Sequence, residues 1–335
     1  MKLSKIAVRL MAAAGLLLFS SMSSAAVVKG ADVSWTSEIE ANGYSYYNRS
    51  GVKEDIFAIM KEEGMTAARL RVWVNPSQGW YNTYQDVVAK AKRAKAAGLS
   101  VMIDFHYSDS WADPGQQTKP SAWASHSLAA LKTDVYNHTY NSLVALKDAG
   151  VTPLWVQVGN ETSNGMLWDD GKASTNMAQY AALELQGYNA VKSVFPSAKV
   201  VVHLANCFKN ADNRWLFDGL VANGGKFDVL GFSDYPTNVS GSTWQTINAS
   251  CLTNLNDMVS RYGKEVMISE IGVPWDNSSA QTIVKDMVTK VGQVTNSKGI
   301  AIFYWEPEAR PNWAGYTMGA MDANGKATAA WDAFK

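Results

Sequence analysis

Two glutamates end apolar runs of the sequence and could carry chemistry together. Glu161 closes the stretch 154–161, and Glu270 directly follows the run 265–269. Glutamate is almost never fully buried without a partner, so each one marks either a structural ion pair or a reactive group. Two carboxylates that face each other across a ligand can hydrolyse a glycosidic bond. One protonates the leaving oxygen while the other attacks the anomeric carbon or activates water.

Other reaction classes find little support in the sequence. The four histidines show no His-Glu-x-x-His spacing for a metal, and no Gly-x-Ser-x-Gly elbow is present. Residues 165–173 resemble a phosphate loop, but they hold one residue too many between the glycines. Ala173 also stands where a magnesium-binding hydroxyl is needed. We therefore expect no metal and no cofactor.

Eight short β-rich runs alternate with helical patterns along the chain. The runs cover residues 30–33, 68–74, 99–105, 154–158, 199–204, 227–232, 265–269 and 299–305. Several are near-continuous runs of Val, Ile and Leu, as in parallel strands that are buried on both faces. Helical spacing occurs in residues 53–63, 84–97, 128–149, 174–195, 212–222, 243–262 and 278–294.

This alternation predicts an α/β protein built as a single (β/α)8 TIM barrel. The alternative, an open doubly wound sheet, would normally carry a Gly-rich phosphate turn after its first strand, and residues 30–35 contain none. In a barrel, the polar residues at the carboxyl ends of the strands form the active site. Strands 4 and 7 would then place Glu161 and Glu270 on roughly opposite sides of the mouth.

The first residues have the features of a targeting segment. Lys2, Lys5 and Arg9 precede a mostly apolar, uncharged stretch over residues 10–19, and small residues that suit cleavage follow. A membrane anchor is the alternative, but the stretch is too short to form a stable one. We predict a signal peptide over residues 1–26, a catalytic barrel over residues 27–335, and a protein that is secreted or periplasmic.

Charge and composition limit the possible partners. The chain has 30 Lys and Arg against 30 Asp and Glu, and loss of the leader removes three positive charges. This balance gives no electrostatic reason to expect nucleic acid or an acidic membrane surface as a partner. A neutral polysaccharide fits it, and we expect a monomer without membrane association. Several of the 13 tryptophans fall in loops, where they could stack on sugar rings.

Six ordered runs of the sequence are informative together. They are Gly30-Ala-Asp-Val-Ser34, Arg69-Leu-Arg-Val-Trp-Val-Asn-Pro76, Asp104-Phe-His-Tyr-Ser-Asp109, Trp111-Ala-Asp-Pro-Gly-Gln-Gln117, Val156-Gln-Val-Gly-Asn-Glu161 and Phe303-Tyr-Trp-Glu-Pro307. The set resembles glycoside hydrolase family 53, the endo-β-1,4-galactanases, over nearly all of the mature chain. The resemblance implies an endo-acting hydrolase of pectic β-1,4-galactan with a retaining mechanism.

The resemblance also implies roles for individual residues. Glu161 would be the general acid/base and Glu270 the nucleophile. Asn160 would hold the 2-hydroxyl of the sugar at the cleavage point, and Trp305 would lie beneath that sugar. A retaining pair of carboxyls is separated by about 5–5.5 Å, against about 6.5–9.5 Å for an inverting pair.

Further side chains are candidates for orienting the nucleophile or the sugar. They are Arg71, His106 and Tyr235. Arg69 is instead expected in an internal ion pair of the barrel. Asp234 departs from the family's Ser-Tyr-Tyr-Pro pattern, and it either alters a sugar contact or is a tolerated surface change.

Several questions stay open at the level of the sequence. The target could be another β-1,4-glycan such as mannan, xylan or cellulose, and a non-catalytic carbohydrate-binding barrel is an alternative from a different class. Cys207 and Cys251 could form a disulfide in an oxidising compartment or remain two free thiols. Some bacterial members of the family that the chain resembles carry a calcium site on a long loop after strand 7. Residues 276–279 run straight into a predicted helix here, so we do not extend that site to this chain.

Overall fold

Eight parallel strands close into a barrel in the computed structural model, which describes residues 26–77, 79–274 and 276–335. The barrel strands are β1 (Val28–Asp32), β2 (Ala67–Val72), β3 (Ser100–Phe105), β4 (Trp155–Val158), β5 (Lys199–Leu204), β6 (Val229–Asp234), β7 (Glu265–Ile271) and β8 (Gly299–Trp305). Neighbours in the chain pair with each other, and β1 pairs with β8 to close the barrel. The predicted (β/α)8 barrel is confirmed. Apart from Ala26, the predicted signal peptide lies outside the described residues.

Helices connect the strands on the outside of the barrel. They are α1 (Thr36–Ala41), α2 (Ile56–Glu62), α3 (Tyr84–Ala96), α4 (Leu128–Asp148), α5 (Ala173–Val194), α6 (Asn210–Ala222), α7 (Trp244–Tyr262) and α8 (Ala280–Gly292). Side-chain oxygens of Asp55, Thr83, Ser127 and Thr243 accept hydrogen bonds from the first turns of four of them. Among the described residues, no helix is both long and apolar enough to cross a membrane.

The connection between β1 and β2 differs from its sequence-based prediction. The helix expected over residues 53–63 begins at Ile56, because Lys53–Glu54 pairs with Tyr46–Tyr47 as a short antiparallel hairpin. Asp55 follows that hairpin in extended backbone and caps α2. Neither this hairpin nor helix α1 was predicted from the sequence. Both elements are short, so their patterns do not stand out in the sequence.

The barrel interior is packed in layers. Its apolar layer consists of Ala67, Met102, Trp155, Val201, Val229, Met267, Ala301 and Phe303. Two positions further along the strands, the inward side chains are mostly polar, since successive residues of a strand point to opposite faces. This second layer lies at the carboxyl-end mouth and includes Arg69, Asp104, Gln157 and His203.

Cys207 and Cys251 are joined by a disulfide, with their Cα atoms 5.0 Å apart. Cys207 lies just after β5, and Cys251 lies on α7. The structure therefore favours the bonded alternative over two free thiols. The disulfide ties the loop after β5, which borders the barrel mouth, to the outer helix layer.

Candidate active site

Arg69 occupies the centre of a buried polar cluster at the barrel mouth. Its Nη1 atom is 2.8 Å from Asp32 Oδ2 and 2.9 Å from Glu270 Oε1. Its Nη2 atom is 2.9 Å from Asp104 Oδ2. Burial opposes ionisation of Asp104, but Arg69 and then His106 lower the pKa of that carboxyl to about 2. One buried cation thus pairs with three carboxyls and offsets part of the cost of burying their charges.

Glu270 is directed into the mouth by an irregularity in β7. Phe232 of β6 pairs with Ile268, but the next residue, Ser233, pairs with Glu270, so the register shifts by one residue. Strict alternation from Met267 would turn Glu270 away from the interior, and the shift turns it inward. There Tyr235 donates its hydroxyl hydrogen to Glu270 Oε2 at 2.9 Å, beside the Arg69 contact to Oε1.

Glu161 follows β4 in an unusual backbone conformation. Its φ of 42° lies in the left-handed region, which side chains other than glycine adopt rarely and mostly at functional sites. The side chain is half-buried. Burial is the largest influence on this carboxyl and raises its pKa, the Ser233 side chain opposes that shift, and the nearby Asp113 adds to it.

Glu161 and Glu270 line one cavity of about 290 Å³. Its other lining residues are His106, Trp111, Ala112, Asp113, Asn160, Tyr235 and Trp305. Burial raises the pKa of Glu270 as well, Arg69 lowers it, and the charge of Glu161 raises it. Two interacting carboxyls titrate as a pair. Since Arg69 and Tyr235 donate directly to Glu270, we assign the first ionisation to Glu270 and the retained proton to Glu161.

Asn160 is held rigidly beside the two carboxyls. Its Oδ1 atom accepts a hydrogen bond from Arg69 Nη2 at 3.0 Å, and its Nδ2 donates to the carbonyl of Ala112 at 2.9 Å. These contacts fix which end of the amide faces which neighbour. The side chain borders the cavity where the resemblance expects it to meet a sugar hydroxyl.

His106 and Trp305 form further parts of the cavity wall. His106 Nε2 lies 2.9 Å from Asp104 Oδ2, which orients the imidazole. The indole of Trp305 packs against Trp35 and Trp111, with ring centroids 5.5 and 5.8 Å away. The supporting rings limit its movement, so a flat apolar surface is available at the cavity.

Arg71 is the candidate that the structure places away from both carboxyls. It pairs with Glu306 Oε1 at 2.8 Å, its guanidinium carbon lies 4.3 Å from the Trp111 ring centroid, and it does not line the cavity. Arg69 forms internal ion pairs, as expected, and one of its partners is Glu270. Of the two arginines, Arg69 therefore contacts the candidate nucleophile.

Asp234 corresponds to neither of the alternatives expected for it. The side chain is fully buried, so it is not a surface change, and it is absent from the lining of the cavity. Neither of its carboxyl oxygens has a hydrogen-bond partner among the described residues. Burial and then Asp286 raise the pKa of Asp234 to about 7.

A second cavity, of about 370 Å³, has Pro114 and Ser163 in its lining, which are close in the chain to Asp113 and Glu161 of the first cavity. It is lined by Pro114, Ser163, Asn164, Ser174, Leu204, Ala205, Asn206, Lys209, Asp212, Asn213 and Trp215. Trp215 lies on α6 with 46% of its surface exposed. Trp215 was not among the tryptophans expected to contact sugar, because those were the tryptophans of predicted loops. Among the described residues, no group of three or more His, Cys, Asp or Glu is placed to hold a metal ion.

Comparison with known proteins assigns the chain to a family. Residues 28–334 match the model of glycosyl hydrolase family 53. An arabinogalactan endo-β-1,4-galactanase of Thermothelomyces thermophilus is 35% identical over 299 residues, which are 82% of this chain and 88% of the relative. A solved structure from work on two fungal β-1,4-galactanases has a TM-score of 0.84 at 31% identity, covering 92% of this chain and 99% of the other. The family 53 catalytic domain of Ignisphaera aggregans gives 0.83 at 31% identity, with 92% and 95% covered. The chain therefore belongs to glycosyl hydrolase family 53.

Proposed function

We propose that this chain is an endo-acting galactanase that cleaves β-1,4-D-galactosidic linkages in pectic galactan with retention of configuration. The observation that carries the proposal is the shared cavity of Glu161 and Glu270 in a chain of this family. The galactanase names of its relatives support galactan as the substrate.

The geometry supports a double displacement. Glu270, held ionised by Arg69 and Tyr235, attacks the anomeric carbon while Glu161 donates its proton to the leaving oxygen. Glu161 then removes a proton from a water molecule, which attacks the glycosyl-enzyme and releases the β-configured product. Asn160 holds the sugar's 2-hydroxyl, His106 contacts its polar edge, and Trp305 lies under its apolar face. The distance of about 5–5.5 Å between the two carboxyls that a retaining mechanism requires remains a prediction.

We also propose that the chain is exported by its leader and acts as a monomer with no membrane association. The basic start and short apolar stretch of residues 1–26 support export. The mass of the protein recovered outside the cytoplasm tests this, since cleavage after Ala25 or Ala26 is expected.

Hydrolysis of galactan tests the proposed function directly. The purified chain is expected to lower the viscosity of a β-1,4-galactan solution early, before many reducing ends appear, because endo cleavage divides long chains. Proton NMR of the first products is expected to show the β-anomer. Faster cleavage of mannan, xylan or cellulose would assign another glycan, and galactan binding without new reducing ends would make the barrel a binding protein.

Trp215 provides a test of how far the substrate extends. The second cavity contains Ser163 and Asn164, which follow Glu161, so it lies on the side of the leaving group. We expect Trp215→Ala to lower kcat/KM on galactan about fivefold to tenfold, the scale of one lost aromatic contact of roughly 1 kcal/mol. Turnover of an aryl galactobioside, whose leaving group is too short to reach α6, is expected to stay unchanged.

Trp80 is the matched control for this test. It is 55% exposed, follows β2, and lines neither cavity. Trp80→Ala is expected to match the parent on both substrates. Equal losses on galactan and on the aryl glycoside in Trp215→Ala would contradict a binding role for the second cavity.

A further inference from the structure

We propose that Gln117 is a positioning residue for Glu161, because it holds the peptide group between Asn160 and Glu161 so that the acid is directed into the cavity. This inference rests on the proposed function, in which Glu161 protonates the leaving oxygen. Gln117 ends the sequence run 111–117, is buried, and does not line the cavity. It can therefore influence the reaction only through its neighbours.

The two glutamates are held in place in different ways. Glu270 is contacted at its carboxyl oxygens by Arg69 and Tyr235. Glu161 instead has a left-handed backbone, with a φ of 42°. A side chain makes this conformation unfavourable, because the Cβ atom comes too close to a carbonyl oxygen. Such a conformation persists only where the surrounding structure maintains it.

On the carboxyl side of Glu161, the main chain is restrained by backbone contacts. The backbone nitrogen of Thr162 donates to the carbonyl oxygen of His203 at 2.8 Å. The backbone nitrogen of Ser163 donates to the carbonyl oxygen of Glu161 at 2.7 Å. These two hydrogen bonds fix the chain that leaves the acid, but they do not fix the peptide group that precedes it.

On the amino side, a side chain holds the peptide group that sets φ of Glu161. Gln117 Nε2 donates to the oxygen of this group, which is the carbonyl oxygen of Asn160, at 2.8 Å. The nitrogen of the same group belongs to Glu161 and lies 3.4 Å from His203 Nδ1, which is a longer and weaker contact. The hydrogen bond from Gln117 is therefore the stronger restraint on this peptide group.

The orientation of the Gln117 amide follows from its neighbours. Nε2 lies 2.8 Å from the carbonyl oxygen of Asn160 and 3.2 Å from the carbonyl oxygen of Asp113. Both oxygens only accept, and the amide nitrogen carries two hydrogens, so each oxygen receives one. A flipped amide would turn its own oxygen against both carbonyls. The side chain at this position must therefore supply two donors.

The loop that carries Gln117 is itself anchored to the loop after β4. The backbone nitrogen of Trp168 donates to the carbonyl oxygen of Gln117 at 2.8 Å, and Thr118 pairs with Trp168 in a parallel bridge. Asn160 Nδ2 donates to the carbonyl oxygen of Ala112 at 2.9 Å. The two loops are thus joined on either side of the Gln117 amide, which fixes the position from which it donates.

Loss of the Gln117 donors is expected to displace the acid without removing it. The peptide group is then free to rotate, and φ of Glu161 moves toward the common negative values, which shifts the Cβ atom and the carboxyl beyond it. A displaced acid protonates the leaving oxygen poorly, whereas Glu270 and its donors are unchanged. A leaving group that needs no proton is therefore expected to depart at the parental rate.

Two substrates separate this effect from general damage to the site. We expect Gln117→Met, which keeps the length of the side chain and loses both donors, to lower kcat/KM on galactan on the order of 10²-fold, the scale of a catalytic group displaced by about 1 Å. On a dinitrophenyl β-galactobioside, whose leaving group departs without protonation, kcat/KM is expected to match the parent. Equal losses on both substrates would show a merely structural role, and unchanged galactan hydrolysis would show that the contact does not position the acid. Either result overturns the proposal.

Azide gives a second readout of a displaced acid/base. Glu161 also activates the water that releases the glycosyl-enzyme, so this step is expected to limit kcat of Gln117→Met on the dinitrophenyl substrate. Azide attacks without a base. We therefore expect azide to raise kcat of the variant but not of the parent, and to give a β-glycosyl azide that NMR identifies. No effect of azide on the variant would contradict a displaced acid/base.

Asn248→Leu is the matched control for loss of a buried amide. Asn248 is fully buried on α7, and its Nδ2 atom also donates to a backbone carbonyl oxygen, that of Ile283, at 3.2 Å. The variant is expected to keep the parental ratio of kcat/KM on the two substrates. If Gln117→Met does not fold, Gln117→Glu keeps the shape of the side chain and has at most one hydrogen to donate, so the same selective loss is expected.

The parent distinguishes failure of this inference from failure of the proposed function. A parent that cleaves neither galactan nor the dinitrophenyl substrate would reject the proposed function and this inference with it. If the parent cleaves both substrates, the ratio of kcat/KM values in Gln117→Met decides the role of Gln117 alone.

Discussion

Replacing Glu270 by alanine is expected to lower kcat on galactan by roughly 10⁵-fold or more, the scale observed when a covalent nucleophile is removed. In the parent, Arg69 Nη1 and the Tyr235 hydroxyl hold this carboxylate at the cavity. Among the described residues that line the cavity, no other carboxyl contacts these two donors, so nothing replaces the lost bond to the anomeric carbon. Initial rates of reducing-end release from purified enzyme measure the effect.

Azide distinguishes a missing nucleophile from a damaged site. Glu270→Ala leaves a space on the face of the sugar opposite the leaving group, and a small anion can enter it beside Arg69. Attack from that face on a β-linked aryl galactobioside gives an α-glycosyl azide, which NMR identifies. We expect azide to raise the rate of Glu270→Ala and to leave the parent unaffected. Full loss of activity without any azide product would indicate a structural role.

Glu184 supplies a control for removing a buried carboxyl. It lies on α5, accepts a hydrogen bond from the backbone nitrogen of Lys226 at 3.0 Å, and is fully buried, which raises its pKa to about 8. Glu184→Gln therefore replaces a neutral group by a neutral group of the same size. It is expected to keep the parental kcat, whereas Glu270→Gln is expected to lose it. Comparable rates for the two variants would contradict the assignment of Glu270.

The barrel was predictable because its strands contrast strongly with their surroundings. Parallel strands covered on both faces are short apolar runs, and β3, β5 and β7 are clear examples. Gly98 and Gly150 follow α3 and α4 with positive φ, so the ends of these two helices were also predictable from the positions of the glycines. The hairpin near Tyr46 has two-residue strands, which are too short to produce a periodic pattern.

The two glutamates were predictable for the same reason, since each ends an apolar run of the sequence. The partner of Glu270 was not. Arg69 and Arg71 share one face of β2, and alternation alone directs both into the barrel. Which of them meets Glu270 depends on the tilt of the strands and on the one-residue register shift beside Ser233. Local sequence does not determine either property. Trp215 was missed for a different reason, since it lies on a helix and not in a predicted loop.

The Arg69→Met variant tests that assignment and is expected to affect both stability and pH dependence. Loss of the guanidinium leaves Asp32, Asp104 and Glu270 without their shared cation in a buried layer. Breaking a buried ion pair in this way costs roughly 3–5 kcal/mol of the free energy of unfolding. Denaturant titration at neutral pH measures the loss. Arg69 lowers the pKa of Glu270, so without it that pKa rises and the acidic limb of kcat/KM moves to higher pH.

Arg71→Met is the matched comparison, because Arg71 is equally buried on the same strand but forms an ion pair with Glu306 alone among the described residues. It leaves one carboxyl without its cation instead of three, and it does not touch Glu270. We expect a smaller loss of stability and an acidic limb that stays in place. If Arg69→Met does not fold, Arg69→Lys can be used in its place, because it keeps the positive charge. An ammonium still cannot span three carboxyls as the planar guanidinium does. The acidic limb of kcat/KM is therefore still expected to shift in Arg69→Lys. A shift in Arg71→Met alone would instead assign the role of orienting Glu270 to Arg71.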